Sequence, residues 1–137
     1  MLNLNNDIVI EKPLKYGFDI HGVLDTYPYF VDLANSLLDQ GGEVHIITGI
    51  RMDDLVKQKL KNLGVNWTNH FSIVEWLEQY CPHYLTWENG LPYAPDDIWN
   101  ASKSLYCKAN NIHVHYDDSH IYGKYFEKID TIYCQVH

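Results

Sequence analysis

Short hydrophobic runs alternate with longer amphipathic stretches along the chain. The run from Lys15 to Ile20 predicts a buried strand, weakly foreshadowed by a shorter run from Asp7 to Ile10. From Tyr29 to Gln40 the apolar residues recur with the i, i+3, i+4 spacing of an amphipathic helix. The β-branched run from Glu43 to Thr48 then predicts a second strand of the sheet.

The same alternation continues to the end of the chain. It predicts helices over Asp53 to Leu63, over Phe71 to Tyr80, and from Asp96 or Asp97 to about Ala109. Strands are predicted over Tyr84 to Trp87, Ile112 to Tyr116 and Thr131 to Val136, with a turn-rich loop from Asn89 to Pro95. Such alternation predicts a three-layer α/β/α, Rossmann-like domain with a parallel sheet of about five strands.

Length and composition narrow the class of protein. The 137 residues suffice for one domain, and residues 65–95 leave room for a small lid or insertion. A net charge of -8 argues against a broad nucleic-acid surface but not against a small phosphorylated substrate. Three widely spaced cysteines without a CxxC pair suit a reducing cytosol, and no apolar run resembles a signal peptide or a membrane span. We therefore expect a cytoplasmic protein without a membrane partner.

Polar clusters follow three of the predicted strands. Asp19 follows the first, Thr48-Gly49-Ile50-Arg51 the second, and Asp117-Asp118-Ser119 the fourth. Parallel strands point the same way, so these clusters are expected to meet at one edge of the sheet. Carboxylates brought so close repel one another unless they are protonated or bridged by a cation, and Mg²⁺ prefers such oxygen ligands.

The order of these residues resembles the haloacid dehalogenase (HAD) superfamily. That pattern is Asp-x-Asp-Gly after the first strand, Thr or Ser after the second, Lys on a later helix, and an acidic pair after the fourth strand. The corresponding residues here are Asp19-Ile20-His21-Gly22, Thr48, Lys103 and Asp117-Asp118. The resemblance covers nearly the whole chain and implies a compact phosphatase with little or no cap.

The resemblance also implies a role for each matched residue. Asp19 would be the nucleophile that forms an aspartyl-phosphate. The Mg²⁺ ligands would be Asp19, the backbone carbonyl of His21 and Asp117. Thr48 and the backbone near Gly49 would bind a phosphoryl oxygen, and Lys103 would neutralise charge. Two further residues would have supporting roles. Asp118 would hold a bound water or the lysine, and Arg51 would bind substrate.

Plainer interpretations stand beside these roles. Thr48 would also suit a helix cap, Lys103 and Arg51 would suit solvated surface positions, and Asp19 and Asp117-Asp118 would suit turns. His113 and His115 alternate along one strand and share a face. A core or interface role is favoured for this pair over a metal pair, because no third ligand lies at a fixed spacing.

His21 departs from the family pattern, which has a second aspartate there. Imidazole can also protonate a leaving group and activate water, and Asp25 is the other nearby acidic candidate. The first hypothesis is therefore a Mg²⁺-dependent phosphomonoester hydrolase. Its rival is a weak or inactive HAD-like binding or regulatory protein, and a third is another reaction that uses Asp19 without an acid two residues on.

A short chain with little cap implies a site that is open or closed by a partner chain, so an oligomer is possible. The Thr-Gly-x-Arg segment at Thr48 to Arg51 is similar to that of nucleotidase-like members, which makes a small phosphorylated substrate such as a nucleotide the first candidate. An open site would also accept larger phosphorylated ends, including the end of a nucleic acid.

Overall fold

The computed structural model describes residues 13–137, so the run from Asp7 to Ile10 lies outside the described residues. Seven strands are present in this range: β1 Lys15–Phe18, β2 Glu43–Thr48, β3 Asn69–Ser72, β4 Thr86–Glu88, β5 Leu91–Tyr93, β6 Val114–Asp117 and β7 Ile132–Gln135. Five of them form one parallel sheet in the order β3-β2-β1-β6-β7, and β4 and β5 form a separate antiparallel hairpin.

Four helices cover the two faces of the sheet: α1 Pro28–Asp39, α2 Asp54–Leu63, α3 Ile73–Tyr80 and α4 Asp96–Ala109. Neighbouring residues of a strand point to opposite faces, and Ile46 and Ile47 of β2 accordingly belong to two different clusters of buried side chains. The Ile46 cluster includes residues of α1 and α2, and the Ile47 cluster includes residues of α3 and α4. The predicted three-layer α/β/α fold with five parallel strands is confirmed.

The third strand of the sheet is Asn69–Ser72, and the prediction of that strand at Tyr84 to Trp87 was wrong. Its sequence, NHFS, is short and has a single apolar residue, so it lacks the apolar run that marks a buried strand. Phe71 and Ser72 belong to this strand rather than to the predicted helix. The Ser72 side chain accepts a hydrogen bond from Glu75 N and so marks where α3 begins.

The predicted loop from Asn89 to Pro95 contains β5, and this part of the prediction was also wrong. Asn89 and Gly90 have φ angles of 51° and 77° and connect β4 to β5 as a two-residue turn. An Asn-Gly pair is a strong signal for such a hairpin because both of its residues tolerate positive φ. Helix α4 follows Pro95 and begins at Asp96, as predicted, with Asp96 and Asp97 in its first turn.

The strand order places a crevice at the carboxyl ends of β1 and β6. From β1 the chain adds β2 and β3 on one side and then crosses to β6 and β7 on the other. Ligands of open α/β sheets bind at this switch point. Among residues 13–137, no helix is long and apolar enough to cross a membrane.

Candidate active site

The loop after β1 turns sharply at Gly22. Asp19 still continues the sheet, since its N–H donates to Tyr116 O at 2.9 Å, and its Oδ1 accepts from Ile20 N at 2.9 Å. Gly22 then adopts a φ of 76°, and a Cβ there would lie 2.3 Å from Asp118 Oδ2. Only glycine allows this close approach, so the turn brings the carboxylate of Asp118 against the loop that carries Asp19.

Three carboxylates meet in the crevice, as predicted from the strand ends. Asp19, Asp117 and Asp118 each offer an oxygen atom, and these oxygens all lie within 4.8 Å of one another. Asp19 and Asp117 are buried, whereas Asp118 is exposed. The cluster is therefore reachable from solvent on the side of Asp118.

Lys103 is the cation of this cluster. Its side chain, from the middle of α4, is only 2% exposed, whereas Lys108 on the same helix is exposed. Lys103 Nζ donates to Asp117 Oδ2 at 2.7 Å, lies 3.5 Å from Asp19 Oδ1, and sits 4.8 Å from the centre of the Tyr122 ring. Burial lowers the pKa of Lys103, but the two carboxylates raise it by more than burial lowers it. The amine therefore carries a positive charge.

The two buried carboxylates differ in electrostatic environment. Burial raises the pKa of Asp19, with Asp117 and Asp118 adding to this, and Lys103 offsets only part of the rise. Burial acts in the same direction on Asp117, but donors from His115 and Lys103 hold its pKa below the ordinary value. The excess negative charge of the site is therefore felt most strongly at Asp19.

A divalent cation fits this donor set. Three carboxylates and one lysine have a formal net charge of -2, and every candidate ligand atom is an oxygen. Hard cations such as Mg²⁺ bind oxygen ligands of this kind through one or two carboxylates. The fit rests on the charge balance and the spacing of the oxygens, and several other divalent ions share this chemistry.

The segment after β2 lies at the same edge of the sheet as Asp19, because β1 and β2 are parallel neighbours. Thr48 is the last residue of β2 and is buried, and α2 is capped by Asp53, which excludes Thr48 as its cap. The Gly49 carbonyl accepts from Val74 N at 3.2 Å, and a Cβ at Gly49 would lie 3.2 Å from the Trp99 ring. The loop is thus held by α3 and α4 beside the carboxylates.

Arg51 lies at the surface end of the same segment. It forms an ion pair with Glu78 of α3, and its guanidinium carbon is 5.3 Å from the centre of the Trp87 ring on the β4–β5 hairpin. Its partners in the structure are therefore a carboxylate and an indole. Two elements of residues 65–95, α3 and the hairpin, therefore lie next to the predicted substrate-binding arginine.

His21 is paired with Asp25. His21 Nδ1 lies 3.0 Å from Asp25 Oδ2, and Lys59 Nζ donates to the same oxygen at 3.1 Å. Burial acts to raise the pKa of Asp25, but donors from Thr26, Lys59 and Gly22 N lower it to about 2. Asp25 is therefore ionised at neutral pH and cannot replace the missing acid, but it can fix the orientation of the imidazole.

The sequence predicted a core or interface role for His115, which its burial confirms, but not its contact with Asp117. His115 is fully buried and its Nε2 lies 2.9 Å from Asp117 Oδ2, whereas His113 accepts from Lys15 N at the protein surface. The two histidines do not converge on a metal. Position 115 lies two residues before Asp117, so the two side chains are on the same face of the strand. This spacing could have predicted their contact.

Two large cavities in the described part of the chain are not lined by the three carboxylates. One of about 580 Å³ lies between α3 and α4 against Phe71 and Tyr106, and another of about 670 Å³ lies near Val114 and Ile132 at the opposite end of the sheet.

No protein-family model matches this chain, and no curated protein matches it either.

Proposed function

We propose that this protein is a Mg²⁺-dependent phosphohydrolase of HAD type that acts on a phosphomonoester. The observation that carries the proposal is the set of three converging carboxylates with one buried lysine at the switch point of the sheet. A carboxylate nucleophile needs a partner cation and a neutralised field before it can approach a phosphate dianion. The excess of carboxylates supports binding of the cation, and the buried lysine supports neutralisation of the field.

Asp19 is the nucleophile of the proposed reaction. One of its oxygens attacks phosphorus, the bond from phosphorus to the leaving oxygen breaks, and water later cleaves the aspartyl-phosphate. Lys103 lies within 3.5 Å of Asp19 and supports this step because it balances charge on the carboxylate and on the incoming phosphoryl group. Thr48 and the backbone near Gly49 lie at the same edge of the sheet as Asp19. They would donate hydrogen bonds to a phosphoryl oxygen.

The residues that would hold Mg²⁺ are Asp19, Asp117 and the backbone carbonyl of His21, with Asp118 nearby. The ion, when bound, would lower the cost of bringing a phosphate dianion next to these carboxylates. Asp117 is suited to this role because two donors keep it ionised. Gly22 supports it too, because the absence of a side chain lets Asp118 reach the cluster.

His21 acts as the acid and base in place of the usual aspartate. The contact between Nδ1 and Asp25 favours the tautomer with the proton on Nδ1, which leaves Nε2 to exchange a proton with the leaving group and then with water. Asp25 is held in place by Lys59 and Thr26, so the imidazole is oriented rather than free. Replacing Asp25 with Asn is expected to lower kcat more than it changes KM.

The substrate we propose is a small phosphorylated molecule of nucleotide type in the cytoplasm. Trp87 beside Arg51 supports this, because an exposed indole can stack on a planar ring and an arginine can bind a second anionic group. The exposed side of the crevice would also admit a phosphorylated nucleic-acid end, or could be closed by a second copy of the chain.

A binding protein with negligible turnover is the second candidate. The His21 side chain is 67% exposed, and this observation favours the alternative because a solvated acid exchanges protons with water as well as with a leaving group. Under this alternative the carboxylates would bind the cation and a phosphate without cleaving an ester.

Hydrolysis of p-nitrophenyl phosphate with and without Mg²⁺ tests the proposal. We expect release of p-nitrophenol that requires Mg²⁺ and disappears in Asp19→Asn. Asp32→Asn, on the exposed face of α1, is the matched control and should keep full activity. Absence of hydrolysis over a broad panel of phosphomonoesters, with Mg²⁺ binding intact, would favour the second candidate.

A further inference from the structure

A buried histidine occupies the centre of the sheet directly behind the carboxylate cluster. His115 is 0% exposed, and burying an imidazole among apolar side chains is costly unless its polar atoms are satisfied. Its ring stacks against Phe126 with 5.7 Å between the ring centres.

The neighbouring strand makes room for this ring with a glycine. A Cβ at Gly17 in β1 would lie 2.9 Å from His115 Nδ1 and 2.5 Å from Ile47 Cδ1. Glycine inside a strand weakens it, and such glycines often mark a close approach of another group to the backbone. Gly17 and His115 are each unfavourable at their positions in the sheet. Together they allow the His115 ring to make one particular contact.

That contact is with the carboxylate of Asp117. His115 Nε2 lies 2.9 Å from Asp117 Oδ2, and Lys103 donates to the same oxygen at 2.7 Å. Within the described residues, the other oxygen, Oδ1, accepts a single hydrogen bond, from Ser119 N at 3.1 Å. A carboxylate oxygen has two lone pairs, so both lone pairs of Oδ2 are used whereas one on Oδ1 remains.

The tautomer of His115 follows from its two nitrogens. Nδ1 has no hydrogen-bond partner within residues 13–137, and Nε2 faces an ionised acceptor. A proton on Nε2 satisfies Asp117 and leaves Nδ1 as a bare lone pair, whereas a proton on Nδ1 alone would set the lone pairs of Nε2 and Asp117 Oδ2 against each other. His115 is therefore a fixed donor from Nε2.

We propose that His115 is a positioning residue which, together with Lys103, anchors Oδ2 of Asp117 and so presents Oδ1 to a divalent cation. The inference rests on the proposed cation site, but not on phosphate hydrolysis. Groups behind metal ligands commonly set the orientation of the ligand, and their loss weakens metal affinity by about 10- to 100-fold.

Metal titration of two substitutions at position 115 tests this role. Gln places an N–H donor near the position of Nε2, whereas Leu fills a similar volume without a donor. Binding of Mn²⁺ is measured by electron paramagnetic resonance, with Mg²⁺ as the competitor. His113→Leu and Ile47→Val are the controls, the first for losing a histidine from the same segment and the second for altered packing beside Gly17.

We expect His115→Leu to weaken Mn²⁺ and Mg²⁺ binding by about tenfold or more and His115→Gln to restore affinity to within about threefold of wild type. Both controls should bind as wild type does. Unchanged affinity in a folded His115→Leu protein would overturn the proposal, and so would equal losses in the Gln and Leu variants.

Wild-type protein provides a second measurement, which does not depend on whether a variant folds. Nitrogen NMR of a sample labelled at the histidine rings should show His115 protonated at Nε2 and bare at Nδ1. The opposite tautomer would contradict the proposal. Cation affinity that depends on His115 without hydrolysis of any phosphomonoester would overturn the proposed function alone, whereas Mg²⁺-dependent hydrolysis unaffected by His115→Leu would overturn this inference alone.

Discussion

Asp19 carries a charge that the metal-free fold disfavours, so replacing it with asparagine should stabilise the protein. Burial is the largest cause of its raised pKa, and Asp117 and Asp118 add repulsion that Lys103 does not fully offset. Asparagine has nearly the shape of aspartic acid and carries no charge. The substitution therefore removes the repulsion while it keeps the packing.

The magnitude follows from the pKa of Asp19, which rises from 3.8 to about 7 in the folded protein. Each pKa unit corresponds to about 1.4 kcal/mol, so the ionised carboxylate costs about 4 kcal/mol at pH 8. Since the folded pKa of this acid lies above the unfolded one, the cost is complete above about pH 7 and is relieved as the pH falls toward 3.8. Asp19→Asn should thus gain about 4 kcal/mol at pH 8 and almost nothing at pH 4.

Chemical denaturation at pH 8, with chelator present, measures the effect. Asp117→Asn is the matched control with the opposite sign, because His115 and Lys103 stabilise that carboxylate and its loss should cost about 3 kcal/mol. Mg²⁺ should then raise the stability of wild type but leave Asp19→Asn almost unchanged. An Asp19→Asn protein less stable than wild type at pH 8 would refute the reasoning.

Three further results are expected. Gly22→Ala should lose at least about 1 kcal/mol more than Gly41→Ala, because both have positive φ but only at Gly22 would the new Cβ meet a side chain; equal losses in urea denaturation would count against the close approach of the acidic loops. Cys107, whose pKa burial raises to about 12, should resist Ellman's reagent until the protein unfolds, whereas exposed Cys134 should react at once. Thr48→Val should keep the fold but lower kcat/KM for p-nitrophenyl phosphate by about tenfold or more, and an unchanged value would remove Thr48 from the site.

Hydrophobic pattern predicted the elements of this fold wherever strands were long and apolar. Glu43–Thr48 was predicted with its observed bounds because four of its six residues are β-branched and five of the six are buried. The strand Asn69–Ser72 was not predicted, because two of its four residues are not buried and its last residue caps the helix that follows. Only pairing with β2, which is a tertiary contact, identifies it as a strand of the sheet.

Topology explains why the carboxylates were predicted to meet although they lie far apart in sequence. Asp19 and Asp117 both end parallel strands that pair with each other, so the fold class alone brings them together. Side-chain contacts that do not follow from the order and direction of the strands were not predicted. Lys59 reaching Asp25 and Tyr122 lying under Lys103 depend on how particular side chains extend from helices and turns.

Detection of a phosphoryl group on Asp19 tests the central claim most directly. His21→Gln, which removes the proposed base for the second step, is mixed with Mg²⁺ and p-nitrophenyl phosphate, quenched with acid within seconds, and mapped by peptide mass spectrometry. We predict one acid-stable, hydroxylamine-labile phosphoryl group on the peptide that contains Asp19, and none in Asp19→Asn. Release of p-nitrophenol in an amount equal to the enzyme or greater, with no phosphoryl group on that peptide, would contradict the account.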